Sequence, residues 1–137
     1  MLWAVVIFGA STDSLSSAHT ALIVEPLFRW LYPSISPENL ELAHHLVRKS
    51  AHVMEYFIFF ILLFRGVRGN RRGWRWSWAL TAWFIAAVYS GLDEFHQSFV
   101  PSRGASVWDS LLDSAAAFLA LVVLYLAFHF LRRASRT

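Results

Sequence analysis

The chain has 137 residues, of which 57% are hydrophobic and 15% charged, and its formal net charge is +3. A mean hydropathy of +0.46 is typical of a bilayer protein, and the absence of cysteine excludes disulfides, thiol nucleophiles and thiolate metal ligands. The basic residues lie mainly in short clusters beside apolar segments, not along a soluble face, so we expect no nucleic-acid partner.

The N-terminal part contains two apolar segments separated by polar residues. Residues 1–10 are about half of the ~20 residues needed to cross a hydrocarbon core, and we predict a short, uncleaved first span there. The alternatives are a tilted span, a signal-like segment, or a helix shortened at a misassigned start codon. We expect residues 11–36 to form an outer loop. Its apolar part, 21–32, is interrupted by charged residues and a proline, so we expect this part to lie at the membrane interface.

Three longer helices follow. The Ser-Pro-Glu sequence at 36–38 combines a capping side chain, a proline for the first helical position and an acid for the first turn, which predicts a helix over 37–65. At 1.5 Å per residue this helix would be roughly 42 Å long, so its polar first half should rise into the headgroup region. The hydropathy pattern predicts two further helices, over 76–97 and 107–131.

The charge distribution predicts a topology. Eight of the twelve basic residues lie between 65 and 75 or after 131, and the positive-inside rule assigns both regions to the cytoplasm. Both termini are then cytoplasmic if the first helix crosses. The fold class is therefore all-α: one domain over residues 1–137, an integral membrane bundle of about four transmembrane helices with a polar cluster at the extracytoplasmic end.

Polar residues form a stripe on each of the three longer helices. At 100° per residue, six of them fall within about 120° on the second helix: His45, Arg48, Lys49, His52, Glu55 and Tyr56. On the third helix four fall within about 100°, with Glu94 turned aside: Tyr89, Asp93, His96 and Gln97. On the fourth helix Asp109 and Asp113 are one turn apart, and alanines continue their face, which permits close packing. We expect the three stripes to converge below the headgroups.

The converging stripes have two interpretations. Ionisable residues at membrane depth usually pair with one another or line a wet cavity. Basic residues could simply neutralise the acids and hold the helices in register. Alternatively, the cluster is a pocket for a polar headgroup or glycan, with cations that clamp a phosphate or oxyanion and acid/base groups beside them. The candidate catalytic residues are Asp93, His96, His52, Tyr56 and Glu94. The candidate ligand-binding residues are Lys49, Arg48, Arg103, Gln97, Asp109, Asp113 and Glu55.

A divalent metal is a weaker alternative. His52, Asp93 and His96 are ligand types that zinc and similar ions accept, and residues three or four apart can share a helix face. No strict motif such as His-Glu-x-x-His is present, and neighbouring cations could already neutralise the acids. We therefore expect no cofactor, with a metal as the alternative.

The order of these residues resembles the signature of the VanZ-like family of small bacterial membrane proteins. The resemblance is carried by the run from Lys49 to Tyr56, by the segment 93–103 (Asp-Glu-Phe-His-Gln-Ser-Phe-Val-Pro-Ser-Arg) and by Asp109. It extends from about residue 48 to the end of the fourth predicted span. In two positions the chain departs from the family: Ser102 stands where Gly is usual, and Asp113 where Asn is common.

The resemblance implies a four-helix protein of the bacterial cytoplasmic membrane and, through the family's namesake, a link to resistance against the glycopeptide teicoplanin. We expect a cell-envelope protein that binds or modifies an anionic amphiphile at the outer leaflet, with its head held by Arg103, Lys49 and Arg48. The alternatives are a membrane-embedded hydrolase or transferase, with or without a metal, and a non-catalytic scaffold. Transport by a single chain is disfavoured, because the polar groups gather at one end of the helices.

Overall fold

The computed structural model describes residues 2–10, 17–99 and 106–134, and within these ranges the chain forms helices and no strand. The helices are α1 (Leu2–Ala10), α2 (Ser17–Leu31), α3 (Pro37–Arg68), α4 (Trp76–Gln97) and α5 (Val107–Ala134). The predicted all-helical class is confirmed. The three long helices begin where the sequence places them, and α3 and α5 continue three residues beyond the predicted ends.

The two ends of α3 follow from local sequence. Ser36 is extended (φ −69°, ψ 153°), and its hydroxyl accepts a hydrogen bond from the Asn39 backbone N–H. Pro37 takes the first helical position, where its missing N–H costs nothing. At the other end Gly69 adopts φ 56° and its N–H binds the Arg65 carbonyl. The positively charged arginines before Gly69 interact favourably with the negative C-terminal end of the helix dipole. This interaction explains why α3 continues beyond its predicted end.

The core lies where α3, α4 and α5 pack against one another. Small residues of α4 and α5 line this core: Ala79, Ala82, Ala86, Ala116, Ala117 and Ala120 are each at most 4% exposed. Alanine faces let two helix backbones approach closely. From α3, Tyr56, Phe59, Phe60 and Phe64 fill the space beside them. The predicted small-residue face of the last helix is therefore part of the core.

The α1 helix lies against one half of the bundle. Trp3 Nε1 donates to the Glu55 carbonyl at 3.1 Å, and the Tyr89 hydroxyl donates to the Ala4 carbonyl at 2.7 Å. Further along α1, the Phe8 ring stacks on His96 with 4.5 Å between centroids. These contacts run in the same chain order in α1 and α4, so the two helices are parallel. Nine residues at 1.5 Å each make α1 about 13 Å long, less than half of a hydrocarbon core.

The α2 helix covers the start of α3 and contains Pro26. Val24 of α2 is buried, as are Leu40 and Ala43 of α3, whereas Trp30 is exposed. Arg29 pairs with Glu25 one turn earlier at 2.8 Å. The segment expected at the interface is thus helical, and its position in a membrane stays a prediction.

Two of the described helices are long and apolar enough to cross a membrane: α3, and α5 over 107–133. The 22 residues of α4 would reach about 33 Å, but tryptophans and the acids near its end lower its hydropathy. Large apolar side chains are exposed along all three long helices, among them Met54, Leu62, Phe84, Leu119 and Val123. An apolar surface of this kind is typical of a protein that faces lipid or a partner.

Candidate functional site

Polar residues of α3 and α5 meet in two successive pairs. The Lys49 ammonium donates to Asp109 Oδ1. One turn further along both helices, His52 Nδ1 lies 3.8 Å from Asp113 Oδ2, a distance for an electrostatic contact but not for a hydrogen bond. Because both pairs follow the chain in the same direction, α3 and α5 are parallel and in register. We call the end of the bundle that carries these pairs the polar end.

The polar face of α4 lies at the same end. Ser90, Asp93, Glu94 and Gln97 are all buried, with at most 6% of each residue exposed. Gln97 Nε2 donates to Asp93 Oδ2 at 2.9 Å, and the Ser90 hydroxyl lies 3.0 Å from both the hydroxyl and the carbonyl oxygen of Ser110 on α5. The buried face of α4 at the polar end therefore carries hydrogen-bonding groups, and Ser90 joins this face to α5.

The prediction that Glu94 turns aside is wrong. Glu94 faces α5, where its Oε2 accepts the Ser106 backbone N–H at 2.9 Å, just before the first turn of that helix. Tyr89 and His96, placed on the predicted stripe, lie at its edge against α1. The inward face of α4 is thus rotated by roughly 60° from the predicted one. The reason is that α1 shields one side of α4 and the start of α5 needs an acceptor.

Beneath the Lys49–Asp109 pair lie buried oxygen atoms that lack hydrogen-bond partners among the described residues. Tyr56 is fully buried with its hydroxyl unsatisfied, and Asp113 is 1% exposed with both carboxylate oxygens unsatisfied. The Tyr56 hydroxyl is within electrostatic range of Asp113 and Asp93. A buried polar atom without a partner costs about 1–3 kcal/mol. Such atoms are therefore usually met by an internal water, an ion or a ligand.

An apolar groove opens beside Lys49, between α3 and α5. Its volume is about 470 Å³, and its walls are formed by five apolar residues together with Lys49 and Ser50: Leu46, Val53, Met54, Phe57 and Leu112. From Leu46 to Phe57 it follows α3 for about 16 Å. Of the described side chains that line this groove, only that of Lys49 is charged. We call it the Lys49 groove.

A comparison with protein-family models identifies the family to which the chain belongs. The model described as VanZ/LLP1 matches residues 1–129. The chain belongs to the VanZ/LLP1 family. Comparisons with curated proteins and with solved structures give no match. The family match includes α1 and α2 as well as the three helices whose polar residues carry the resemblance.

In this VanZ/LLP1 protein a second groove lies between α2 and α3 and has a different character. Its volume is about 730 Å³, and its lining carries both signs of charge, with Arg29, Glu38, Glu41 and Arg48 beside His44 and His45. Arg48 and Lys49 are adjacent in sequence but line different grooves. We predicted that Arg48 and Lys49 hold one ligand head together, but in the structure their side chains line separate grooves.

The remaining predicted site residues are dispersed in this family member. His96 stacks on Phe8 of α1, and its Nε2 has no hydrogen-bond partner among the described residues. Glu55 is half-buried and its backbone carbonyl binds Trp3. His45 is exposed. Arg103 lies outside the described residues, so its predicted role as a clamp stays a prediction.

The described part of this VanZ/LLP1 chain contains no group of three or more His, Asp or Glu residues arranged to hold a metal ion. Of the three weaker ligand candidates, His52 lies beside Asp113, while His96 packs on α1 and Asp93 binds Gln97. A metal stays an untested alternative. Sequence reasoning missed Ser90 and the Lys49 groove. Ser90 lies one turn before Asp93 and Glu94, which is the signal that could have identified it.

Proposed function

We propose that this VanZ/LLP1 protein is a multi-pass protein of the bacterial cytoplasmic membrane that binds an anionic amphiphile at the outer leaflet. The alkyl chain lies in the Lys49 groove and the charged head meets the Lys49 ammonium. The observation that carries the proposal is the position of one cation near one end of a groove that is otherwise lined by apolar side chains and Ser50. The α2–α3 groove is less suited to an anion, because Glu38 and Glu41 line it.

The Lys49–Asp109 pair supports an anionic head. An ammonium has three N–H donors, and Asp109 accepts from it through Oδ1. Asp109 therefore fixes the position of the cation while further donors are left for a phosphate or carboxylate, with which a charged donor forms strong hydrogen bonds. The Lys49 side chain is 23% exposed, which leaves it accessible from the groove.

The arrangement of charge supports the outer leaflet. The polar end carries the acids of α4 and α5, whereas arginines cluster at the opposite end, where α3 and α5 finish. The positive-inside rule places that arginine end in the cytoplasm. The polar end and the Lys49 groove then face the outer leaflet. Capture of an envelope amphiphile there would connect the protein to teicoplanin susceptibility, as the family's namesake implies.

A second candidate is a membrane-embedded hydrolase or transferase. The observation that favours it is the unsatisfied Tyr56 hydroxyl near the His52–Asp113 contact, because a phenol, an imidazole and a carboxylate are common proton-transfer groups. In this case the bound amphiphile would be converted, and Tyr56→Phe would stop conversion while leaving binding intact. Binding without conversion by the wild type would contradict this candidate.

Native mass spectrometry of the full chain in mild detergent tests the proposal. The probe is dodecyl phosphate, with dodecylphosphocholine as the control that has the same chain and no net charge. We expect the wild type to bind dodecyl phosphate in preference, and Lys49→Gln to weaken that binding by about tenfold, a change worth about 1.4 kcal/mol. Arg48→Gln removes the same charge one residue away and should bind as the wild type does. Equal loss in both variants would contradict the groove and leave only a general charge effect.

A folding control accompanies this test. Lys49→Gln leaves Asp109 without its cation, whereas the double variant Lys49→Gln/Asp109→Asn removes both charges and leaves no lone carboxylate. If the double variant is as thermally stable as the wild type and still fails to bind dodecyl phosphate, the loss belongs to the binding site. Retained binding by the double variant would refute a role for the Lys49 ammonium.

A further inference from the structure

Among the residues that the structure describes, the arginine end of the bundle has no acidic side chain. Eight arginines lie between 65 and 75 or after 131, and all nine acidic residues lie outside 56–92 and 114–137. Some of the cations rest on aromatic rings: Arg71 and Arg75 lie over Trp78 at 5.6 and 5.4 Å, and Arg132 lies over Phe128 at 4.9 Å. No side-chain carboxylate in these ranges can neutralise this charge, so its counterions come from elsewhere.

A second groove between α3 and α5 opens at this end. Its volume is about 910 Å³. Ile61, Phe64 and Leu124 form apolar walls, while Arg65 and Arg68 lie at the end of α3. We call it the Arg68 groove. The two arginines are three residues apart and therefore neighbours on the helix surface. The groove thus combines a place for an alkyl chain with a pair of cations.

One donor in the Arg68 groove lacks an acceptor. Arg68 Nε is buried and has no hydrogen-bond partner among the described residues. The negative end of α3 explains why arginines occur in its last turn. It does not supply an acceptor for this N–H, and an unsatisfied buried donor on a charged group is costly. A guanidinium presents its N–H groups in a fork that fits two oxygens of one phosphate.

We propose that the Arg68 groove binds an anionic phospholipid of the inner leaflet. Its phosphate lies between Arg65 and Arg68, and one acyl chain follows Ile61, Phe64 and Leu124. The membrane supplies such a ligand at this depth, because the end of α3 lies at the cytoplasmic headgroups. This site requires the same membrane orientation as the proposed function, but it does not depend on the Lys49 groove.

The two grooves follow one face of α3. Val53, Phe57, Ile61, Phe64 and Arg68 recur every three or four residues, which is the spacing of a single helix face. The Lys49 groove occupies the polar half of this face and the Arg68 groove the other half, both beside α5. The seam between α3 and α5 therefore provides one lipid site for each leaflet, and the two sites fill independently.

The test is native mass spectrometry of the full chain with dioleoylphosphatidylglycerol, compared with dioleoylphosphatidylcholine and with free glycerophosphate. We expect a phosphatidylglycerol adduct on the wild type that Arg65→Gln/Arg68→Gln weakens by about tenfold or more. Arg71→Gln/Arg72→Gln removes the same charge from the adjacent loop and should retain the adduct. Because phosphatidylglycerol is itself an anionic amphiphile, the comparison is repeated in the Lys49→Gln background, where the adduct that Arg65→Gln/Arg68→Gln removes belongs to the Arg68 groove and not to the Lys49 groove.

A charge-neutral variant protects the test against misfolding. Leu124→Trp fills the apolar part of the Arg68 groove and changes no charge, so it should weaken phosphatidylglycerol binding while preserving thermal stability. Three results would overturn the inference: equal binding of both lipids, equal loss in both double arginine variants, or binding of free glycerophosphate as tight as that of the lipid.

Discussion

Lys49 of α3 and Asp109 of α5 form an ion pair at the polar end of the bundle, and Lys49 also lines the adjacent apolar groove. One residue thus joins two helices and offers a cation to a ligand. The two roles are separable, because packing needs the pair to be neutral whereas binding needs the ammonium itself.

The contribution of this pair to stability should be modest. Its side chains are 23% and 30% exposed, and ion pairs that solvent reaches contribute about 1 kcal/mol or less. In a double-mutant cycle with Lys49→Gln and Asp109→Asn, we expect a coupling free energy of about 1 kcal/mol, measured by reversible denaturation in detergent micelles. A coupling several times larger would make the pair a structural clamp, as in the scaffold interpretation.

Glu94 should protect the backbone amide at the start of α5 from hydrogen exchange. Its carboxylate accepts the Ser106 N–H, so Glu94→Ala leaves that amide without its acceptor, at a cost of about 1–3 kcal/mol. Glu94→Gln keeps a carbonyl oxygen that can accept the same bond. Hydrogen exchange of the peptide that contains Ser106 should therefore accelerate in Glu94→Ala and change little in Glu94→Gln. The same acceleration in both variants would show that the charge, not the hydrogen bond, orders this turn.

The alanine face between α4 and α5 should not tolerate enlargement. Ala117 is fully buried, whereas Ala115 on the same helix is exposed. Ala117→Leu inserts three heavy atoms into a packed contact and should cost about 1–3 kcal/mol, seen as a lower melting temperature. Ala115→Leu makes the same chemical change on the outer face and should leave the melting temperature nearly unchanged. Equal melting temperatures for the two variants would contradict the packing described for α4 and α5.

The absence of native cysteine makes the topology directly testable. Single cysteines can replace Asn70, between α3 and α4 at the arginine end, and Ser98, directly after α4 at the polar end. In intact spheroplasts, a membrane-impermeant maleimide should label Ser98→Cys and spare Asn70→Cys until the membrane is opened. The reverse pattern would invert the protein and move the Lys49 groove to the inner leaflet.

The sequence predicts the start of α3 well, because the signals that begin a helix are local. Ser36 and Pro37 act through their own backbone geometry and their neighbours along the chain, whereas the end before Gly69 lies three residues beyond the predicted one. The small-residue face of α5 also follows from spacing alone. By contrast, nothing in the spacing of Asp93, Glu94 and Gln97 says how far α4 turns about its own axis.

That rotation depends on partners far away in sequence. Tyr89 and His96 turn toward α1 because Ala4 and Phe8 lie there, and Glu94 consequently faces Ser106. The Lys49 and Arg68 grooves were not predictable for a similar reason. Both are gaps between α3 and α5, and a gap is set by the side chains of both helices together. Periodicity identifies the residues of a face, but it does not determine what that face meets.

Photoaffinity labelling tests the central claim most directly. An alkyl phosphate with a diazirine in its chain is crosslinked to the full protein in lipid nanodiscs, and the labelled peptides are mapped by mass spectrometry. The account predicts labels on α3 between 46 and 57 and near Leu112, which Lys49→Gln loses and Arg48→Gln retains. Labels spread evenly over the exposed face of α4, around Phe84 and Val88, and unchanged in Lys49→Gln would contradict an amphiphile site in the Lys49 groove.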